Sequence, residues 1–280
     1  MPTVTKDKVS YRPFLKWAGG KSKLIPQYER FFPKEFNTYY EPFLGGGAVF
    51  FHLWQTRPGF KAVLTDINGD LINTYRCVKD HVDDLIKLLE VHQRRHNSDY
   101  YYDLRSDHNL KGLEAAARFI YLNKTCFNGL YRVNPKGHFN VPVGKYKNPK
   151  ICNADLLYTV SAALQSIEIA ERGFEAVLDY AKISDDFVYF DPPYYPISVT
   201  SNFTGYSRDS FSKDDQIRLR DVFAELASRG VKVMLSNSDC DFIRDLYKDF
   251  KPKTISAPRM ISANGKKRGM IDEILVICNI

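Results

Sequence analysis

Cysteine is scarce and ill-matched in this chain: Cys77, Cys126, Cys152, Cys240 and Cys278 stand far apart, with no C-x-x-C pair among 280 residues. An odd, scattered set fits neither a disulfide framework nor a zinc site and points to a reducing interior. Also missing are an apolar run of membrane-spanning length, an N-terminal apolar stretch of the secretory kind, internal repeats and low-complexity tracts. The expectation is a cytoplasmic protein with no membrane partner. Acidic residues are the minority charge, 33 against 40 Lys and Arg, giving a net charge of +7. That excess suits an anionic partner such as nucleic acid, and equally a basic protein without one. With 44% apolar and 26% charged residues the chain can bury a full core, which excludes wholesale disorder.

What is present is an alternation of strand and helix patterns in two blocks, the mark of an open α/β sheet interrupted by an insertion. In the first block Lys61–Thr65 reads as a buried strand and Gly46–Trp54 as the helix before it. In the second, from about Ser166, the strands are Ile167–Ile169, Phe187–Phe190, Val231–Leu235 and Ile274–Cys278. Helical patterns fill Phe174–Tyr180 and Ser212–Ser228, the latter opened by a capping box of Ser212 with Asp215 and stopped by Gly230. Between the blocks, about Asn73 to Leu164 is rich in charge and tyrosine, with helices expected at Val82–Arg95 and Leu113–Lys124. The stretch Phe127–Tyr146 interleaves aromatics with Arg and Lys around the turn-like Asn134–Gly137, as a basic hairpin would.

The run Glu41-Pro42-Phe43-Leu44-Gly45-Gly46-Gly47 follows an extended segment and opens a helix, where glycines let backbone approach a ligand. Glycine-rich turns are common, but Asp66 ends the next strand about twenty residues on, where an acid bonds ribose hydroxyls. The pair favours an adenosine cofactor. NAD is one candidate, with Phe50 standing at the third glycine position of its fingerprint. Trp17-Ala18-Gly19-Gly20-Lys21-Ser22 imitates the end of a phosphate-binding loop, but Leu15 replaces the required first glycine. Trp17 either packs on a cofactor whose carboxylate Lys21 meets, or is core packing.

Asp191-Pro192-Pro193-Tyr194 directly follows the buried strand Phe187–Phe190. An exocyclic amine of adenine or cytosine is a poor nucleophile because its lone pair is delocalised into the ring. Acceptors for both amine protons return electron density to nitrogen in the transition state. Asp191 and the Pro192 carbonyl supply two such acceptors, Pro193 fixes the backbone, and Tyr194 offers a stacking face. A base reaches such a pocket only when flipped from the duplex, at a cost of a few kcal/mol. The bland alternative is a tight proline turn with a satisfied aspartate.

Phe14–Lys21, Glu41–Gly47, Asp66-Ile67-Asn68, Phe127–Arg132, Asn140-Val141-Pro142, Asp191–Tyr194 and Leu235-Ser236-Asn237 stand in one order along the chain. In that order the sequence resembles the Dam-type DNA adenine methyltransferases nearly end to end, in the α group of amino-methyltransferases. The resemblance implies a Rossmann-like methyltransferase sheet, mostly parallel with an antiparallel last strand. It also implies an inserted, mainly helical DNA-recognition subdomain carrying a β-hairpin. The catalytic domain would comprise residues 1–72 and 165–280 and the recognition subdomain 73–164. S-adenosylmethionine is the implied cofactor, in contact with Trp17, Lys21, Phe43, Gly45, Asp66, Asp191 and, along its adenine, Phe174.

Double-stranded DNA is the implied partner. Carried over, Arg132 reads a guanine edge and Leu130 makes apolar base contact. Phe127 inserts near the vacated base position, beside Asn128, Pro142 and Tyr146, and Lys16 reaches a flanking guanine. Phe127 replaces the tyrosine of some members, keeping the ring and losing the hydroxyl. These matches are similar to those of members that methylate adenine in GATC. A cognate restriction endonuclease that cuts the same site is a further possible partner, with no direct contact implied. Competing readings are a catalytically idle DNA-binding module and a nicotinamide-dependent dehydrogenase built on Gly45–Gly47 and Asp66. No metal is expected: His92 and His96 sit four apart on a helix, but lack a third ligand and adjoin Arg94 and Arg95, so they read as a solvated face. Tyr195–Phe211 is expected to be a lid or loop beside the base pocket that orders on DNA. Ser262–Gly269 is expected to be a basic turn available to phosphates.

Overall fold

Short runs of aromatic and β-branched residues, too brief for helices and apolar on both faces, form the centre of the molecule as parallel strands. A computed structural model describes residues 10–197, 211–258 and 270–280. Its strands are β1 (Thr38–Glu41), β2 (Lys61–Asp66), β3 (Glu168–Glu171), β4 (Asp186–Phe190), β5 (Lys232–Ser238), β6 (Lys253–Pro258) and β7 (Met270–Cys278). They form one sheet in the order β3-β2-β1-β4-β5-β7-β6. Strands β1 to β5 run parallel, while β7 is antiparallel to both its neighbours, β5 and β6. This is the open, mostly parallel α/β sheet with an antiparallel last strand that the resemblance implies.

The helices are α1 (Ile25–Tyr28), α2 (Ala48–Thr56), α3 (Gly69–Asp80), α4 (Val82–Arg95), α5 (Ser98–Ser106), α6 (Gly112–Thr125), α7 (Ala154–Leu164), α8 (Val177–Tyr180), α9 (Lys213–Ser228) and α10 (Asp241–Leu246). Among the described residues none is long and apolar enough to cross a membrane. Strand alternation divides the core. Tyr39, Phe187, Tyr189, Met234 and Leu275 face a large cluster shared with α2 to α7, and Tyr40, Val188, Phe190, Leu235 and Ile274 face a second cluster under α9 and α10. The capping box is present: the Ser212 hydroxyl accepts from the Asp215 amide and the Asp215 carboxylate accepts from the Ser212 amide. Gly230, at φ +81°, follows the helix in the left-handed region that ends it.

The expected elements are found with ends shifted by a few residues, and β6 lies in a stretch from which no strand was expected. The expected hairpin is thinner than its sequence suggested. Its turn is closed by the Asn134 amide to the His138 carbonyl at 2.8 Å and the Asn140 amide to the Arg132 carbonyl at 3.0 Å. Among the described residues only isolated bridges form, Val133 with Phe139 and Cys126 with Val143, because the 3-10 turn Phe127–Gly129 interrupts one flank and Pro142 has no amide to extend a ladder on the other. Two expectations fall outside the described residues: the whole Ser262–Gly269 turn, and residues 198–210 of the loop after the Asp191 run.

Candidate active site

The loops after β1, β2 and β4 meet at the carboxyl ends of the parallel strands. There the connections from β1 and β4 leave toward opposite sides, the usual place for a ligand crevice in an open sheet. At the end of β2 the Asp66 carboxylate accepts from the amides of Gly45 and Asn68, each at 3.0 Å. Burial pushes this carboxyl above the ordinary range, and those amide bonds pull the other way. Gly45 is at φ +46°, and a Cβ placed there would stand 2.7 Å from the Trp17 indole. Trp17 therefore lies directly on the loop, and its ring stacks on Tyr131 and Phe119 beyond. It packs against the core and lies over the candidate ligand loop.

Phe43, from the same loop, stacks on Phe174 with centroids 5.6 Å apart and planes 22° apart, and Phe211 meets both rings edge-on. The three rings make an apolar wall fit for a purine. Glu41, at the end of β1, is buried and accepts from the Tyr39 hydroxyl at 2.9 Å. Burial drives its carboxyl well above the ordinary range.

At the end of β4 the four-residue run is held from several sides. Lys21 is buried, with its ammonium 2.7 Å from Asp191 Oδ1 and 2.6 Å from the Gly19 carbonyl. The Ser236 hydroxyl donates to the same Oδ1 at 3.1 Å and lies 2.9 Å from the Tyr189 hydroxyl. Burial raises the Asp191 carboxyl, against the lowering effect of the Lys21 charge. Among the described residues both partners meet Oδ1 and none meets Oδ2. The Pro193 carbonyl accepts from Gln216 at 3.0 Å, Gln216 in turn accepts from Asn237, and the Asn237 carbonyl oxygen accepts from the Tyr195 amide. Pro192 is buried, and among the described residues no donor meets its carbonyl. A carboxylate oxygen and a carbonyl beside a tyrosine ring can take both protons of a planar amine. Lys21 stands against Asp191 and 4.7 Å from the centroid of the Tyr194 ring.

The basic stretch lies against this crevice through Lys16. The Lys16 backbone exchanges hydrogen bonds with the Asn123 side chain at 2.8 and 2.6 Å, and its ammonium sits 4.1 Å from the centre of the Tyr146 ring. Phe127 and Asn128 are exposed, the latter at φ +55°, and the Phe127 amide donates to the Pro142 carbonyl. Arg132 is exposed, with Nε 2.7 Å from Asn140 Oδ1, so one side of its fork is braced. Leu130 is half-buried against the core, which limits the apolar surface it presents.

His92 and His96 are not a solvated face: their Nδ1 atoms meet the hydroxyls of Tyr100 at 2.6 Å and Tyr121 at 2.9 Å. Burial lowers His92 to about 4. Among the described residues no group of three or more His, Cys, Asp or Glu is placed to hold a metal. Sequence reasoning assigned no role to Gln216, Tyr131 or Glu273. Glu273 lies on β7, and its Oε2 accepts from the Tyr194 hydroxyl at 2.7 Å and the Tyr28 hydroxyl at 3.2 Å. Its signal was a carboxylate two residues before Leu275, on the same, otherwise apolar, face of a central strand.

Comparison with known proteins agrees with this geometry. Residues 17–261 match a family model described as D12 class N6 adenine-specific DNA methyltransferase. The Type II methyltransferase M1.LlaDCHI of Lactococcus lactis subsp. cremoris is 47% identical, over 99% of this chain and 98% of its own length. The Type II methyltransferase M.MjaIII of Methanocaldococcus jannaschii is 46% identical, over 92% of this chain and 95% of its own. The DNA adenine methylase of Escherichia coli K12 is 36% identical, with 95% of each chain covered.

Proposed function

This chain belongs to the D12 class of N6 adenine-specific DNA methyltransferases, and on that premise we propose that it methylates the adenine of GATC in duplex DNA, flipped out of the helix for transfer. Its enzymatic class and its cofactor, S-adenosylmethionine, follow from the family. The observation that carries the residue assignments is that, among the described residues, no donor meets Asp191 Oδ2 or the Pro192 carbonyl, in the run at the end of β4 that also carries Tyr194.

The residues fit the cofactor's chemistry. Asp66, whose oxygens each accept one amide bond, keeps lone pairs for ribose hydroxyls, and Phe43 with Phe174 provides a wall for adenine. Trp17 and Gly45 close the loop, and Lys21 balances the charge of Asp191. When bound, S-adenosylmethionine supplies an electrophilic methyl carbon. Asp191 and the Pro192 carbonyl accept from the adenine amine, raising electron density on nitrogen as it attacks. Tyr194 stacks on the base, and positioning supplies the remainder of the rate without a covalent enzyme intermediate.

Residues 73–164 are proposed as the DNA-recognition subdomain and 1–72 with 165–280 as the catalytic domain. Support comes from the exposed Phe127, Asn128, Arg132, Pro142 and Tyr146 in that segment, with Lys16 seated on Tyr146. The Type II names of two relatives favour a role as the modification half of a restriction-modification pair. A cognate endonuclease would cut the same site without touching this chain, and the pair would act in the cytoplasm.

Labelled S-adenosylmethionine incubated with matched duplexes tests the proposal. Label is expected on the GATC duplex and not on one in which GATC is scrambled. Equal labelling of both removes the address, and labelling of neither removes the proposed reaction at this target. A second measurement tests the loop. Gly45→Ala is expected to cost about 1–2 kcal/mol of stability through left-handed backbone strain, and to weaken cofactor binding by displacing Trp17. Wild-type melting and calorimetric affinity together would remove the role given to Gly45.

A further inference from the structure

Strand β7 enters the sheet between β5 and β6 and brings a carboxylate to a site otherwise built from other elements. Its register sets Glu273 opposite Ser238 and Leu275 opposite Ser236. Residues paired across a ladder share a face, as do residues two apart. Ser236 and Glu273 therefore project on the same side, toward the four-residue run. Ser236 donates to Asp191, while Glu273 accepts from Tyr194 at 2.7 Å and from Tyr28 at 3.2 Å.

The distances rank the two phenols. A contact of 2.7 Å between a hydroxyl and a carboxylate is a short, charge-assisted hydrogen bond, whereas 3.2 Å is beyond the usual O–H···O range. Tyr194 is only half-buried, and the torsion that tilts a tyrosine ring has a broad energy well. Packing alone leaves such a ring free to rock, and a stacking platform that rocks presents no fixed plane to a base. Lys21 lies 4.7 Å from the same ring centroid while paired with Asp191, so the tilt of Tyr194 also bears on that ion pair.

We propose that Glu273 is a positioning residue for methyl transfer, fixing through the Tyr194 hydroxyl the plane against which the target adenine stacks. The inference rests on the assignment of Tyr194 as the stacking face. It gives the tyrosine hydroxyl a task that stacking by itself does not require. A phenylalanine in its place would stack equally well and be held less firmly.

The experiment compares Glu273→Leu, Glu273→Gln, Tyr194→Phe and the Glu273→Leu/Tyr194→Phe double variant on whichever duplex the wild-type enzyme methylates. The readouts are single-turnover transfer rate, cofactor affinity, melting temperature, and fluorescence of 2-aminopurine placed at the target adenine. Glu273→Leu and Tyr194→Phe are each expected to slow transfer by about 10-fold, the loss of one charge-assisted hydrogen bond. Cofactor affinity is expected to stay within twofold and the 2-aminopurine signal to change in amplitude. The double variant is expected to be no slower than either single one. Glu273→Gln, whose amide oxygen still accepts, is expected to recover most of the rate. A folded Glu273→Leu enzyme with wild-type rate overturns the inference, as does a double variant slowed by the product of the two factors. If Glu273→Leu does not fold, the Glu273→Gln and Tyr194→Phe rates decide by the same criteria: a wild-type rate for Tyr194→Phe, or no recovery by Glu273→Gln, overturns it. Failure of the wild-type enzyme to label GATC sinks the target assignment and leaves this comparison intact on another sequence.

Discussion

Asp191→Ala is expected to lower the turnover number by at least about 10²–10³-fold, the size of effect seen when one preorganised charge-stabilising group is removed. The change deletes the proposed acceptor for the amine and also strips the buried Lys21 ammonium of its carboxylate at 2.7 Å. An orphaned buried charge is destabilising by roughly 3 kcal/mol, so melting must be measured beside activity. Adding Lys21→Met to Asp191→Ala removes the orphan, and the double variant is expected to regain stability without regaining turnover. DNA affinity is expected to persist in both, because the proposed recognition residues lie elsewhere. Retained methylation by either variant would remove the role assigned to Asp191.

Replacing Arg132 by Ala is expected to act on the address rather than on the chemistry. A guanidinium reading a guanine edge contributes about 1–3 kcal/mol of discrimination at one base pair. The variant should therefore accept substitutions at that single position with roughly 5- to 150-fold less penalty, while discrimination at the other positions holds. Asn140 braces Nε at 2.7 Å, so Asn140→Ala should produce a weaker version of the same relaxation. Competition between duplexes differing at one base pair measures both effects. A uniform loss of affinity across all sequences would make Arg132 a phosphate contact instead.

The strand ends that carry the proposed chemistry were legible in the sequence because their parts are local. A strand buried on both faces reads as a continuous apolar run, and the Asp191–Tyr194 run declares itself by following Phe187–Phe190. The Gly45 loop and Asp66 show through their spacing across one strand–helix–strand unit. Glu273 was not legible as a partner of Tyr194, because that contact depends on β7 slotting between β5 and β6, a choice no local pattern records. Gln216 was hidden likewise, on a helix whose other buried residues read simply as core. The histidines were misread because helical spacing tells which residues share a face and says nothing of the tyrosines that α5 and α6 bring against it. The hairpin is shorter than its turn residues suggest: a turn fixes the reversal of the chain, and the 3-10 turn Phe127–Gly129 and Pro142 on its flanks limit how far pairing runs.

The pairing of β1 with β4 has a consequence for biosynthesis. Thr38 and Asp186 are neighbours in the sheet, though the whole of residues 39–185 separates them along the chain. Closing so long a loop is entropically expensive and slow compared with forming the local strand–helix–strand units. As the chain leaves the ribosome, β1 and β2 emerge with one edge of the sheet open, and its partner follows only after α3 to α7 have been made. Neither side of the crevice has its opposite wall until then. The nascent protein thus carries the Gly45 loop well before it carries the proposed place for the base, and the crevice is completed late, with the last third of the chain.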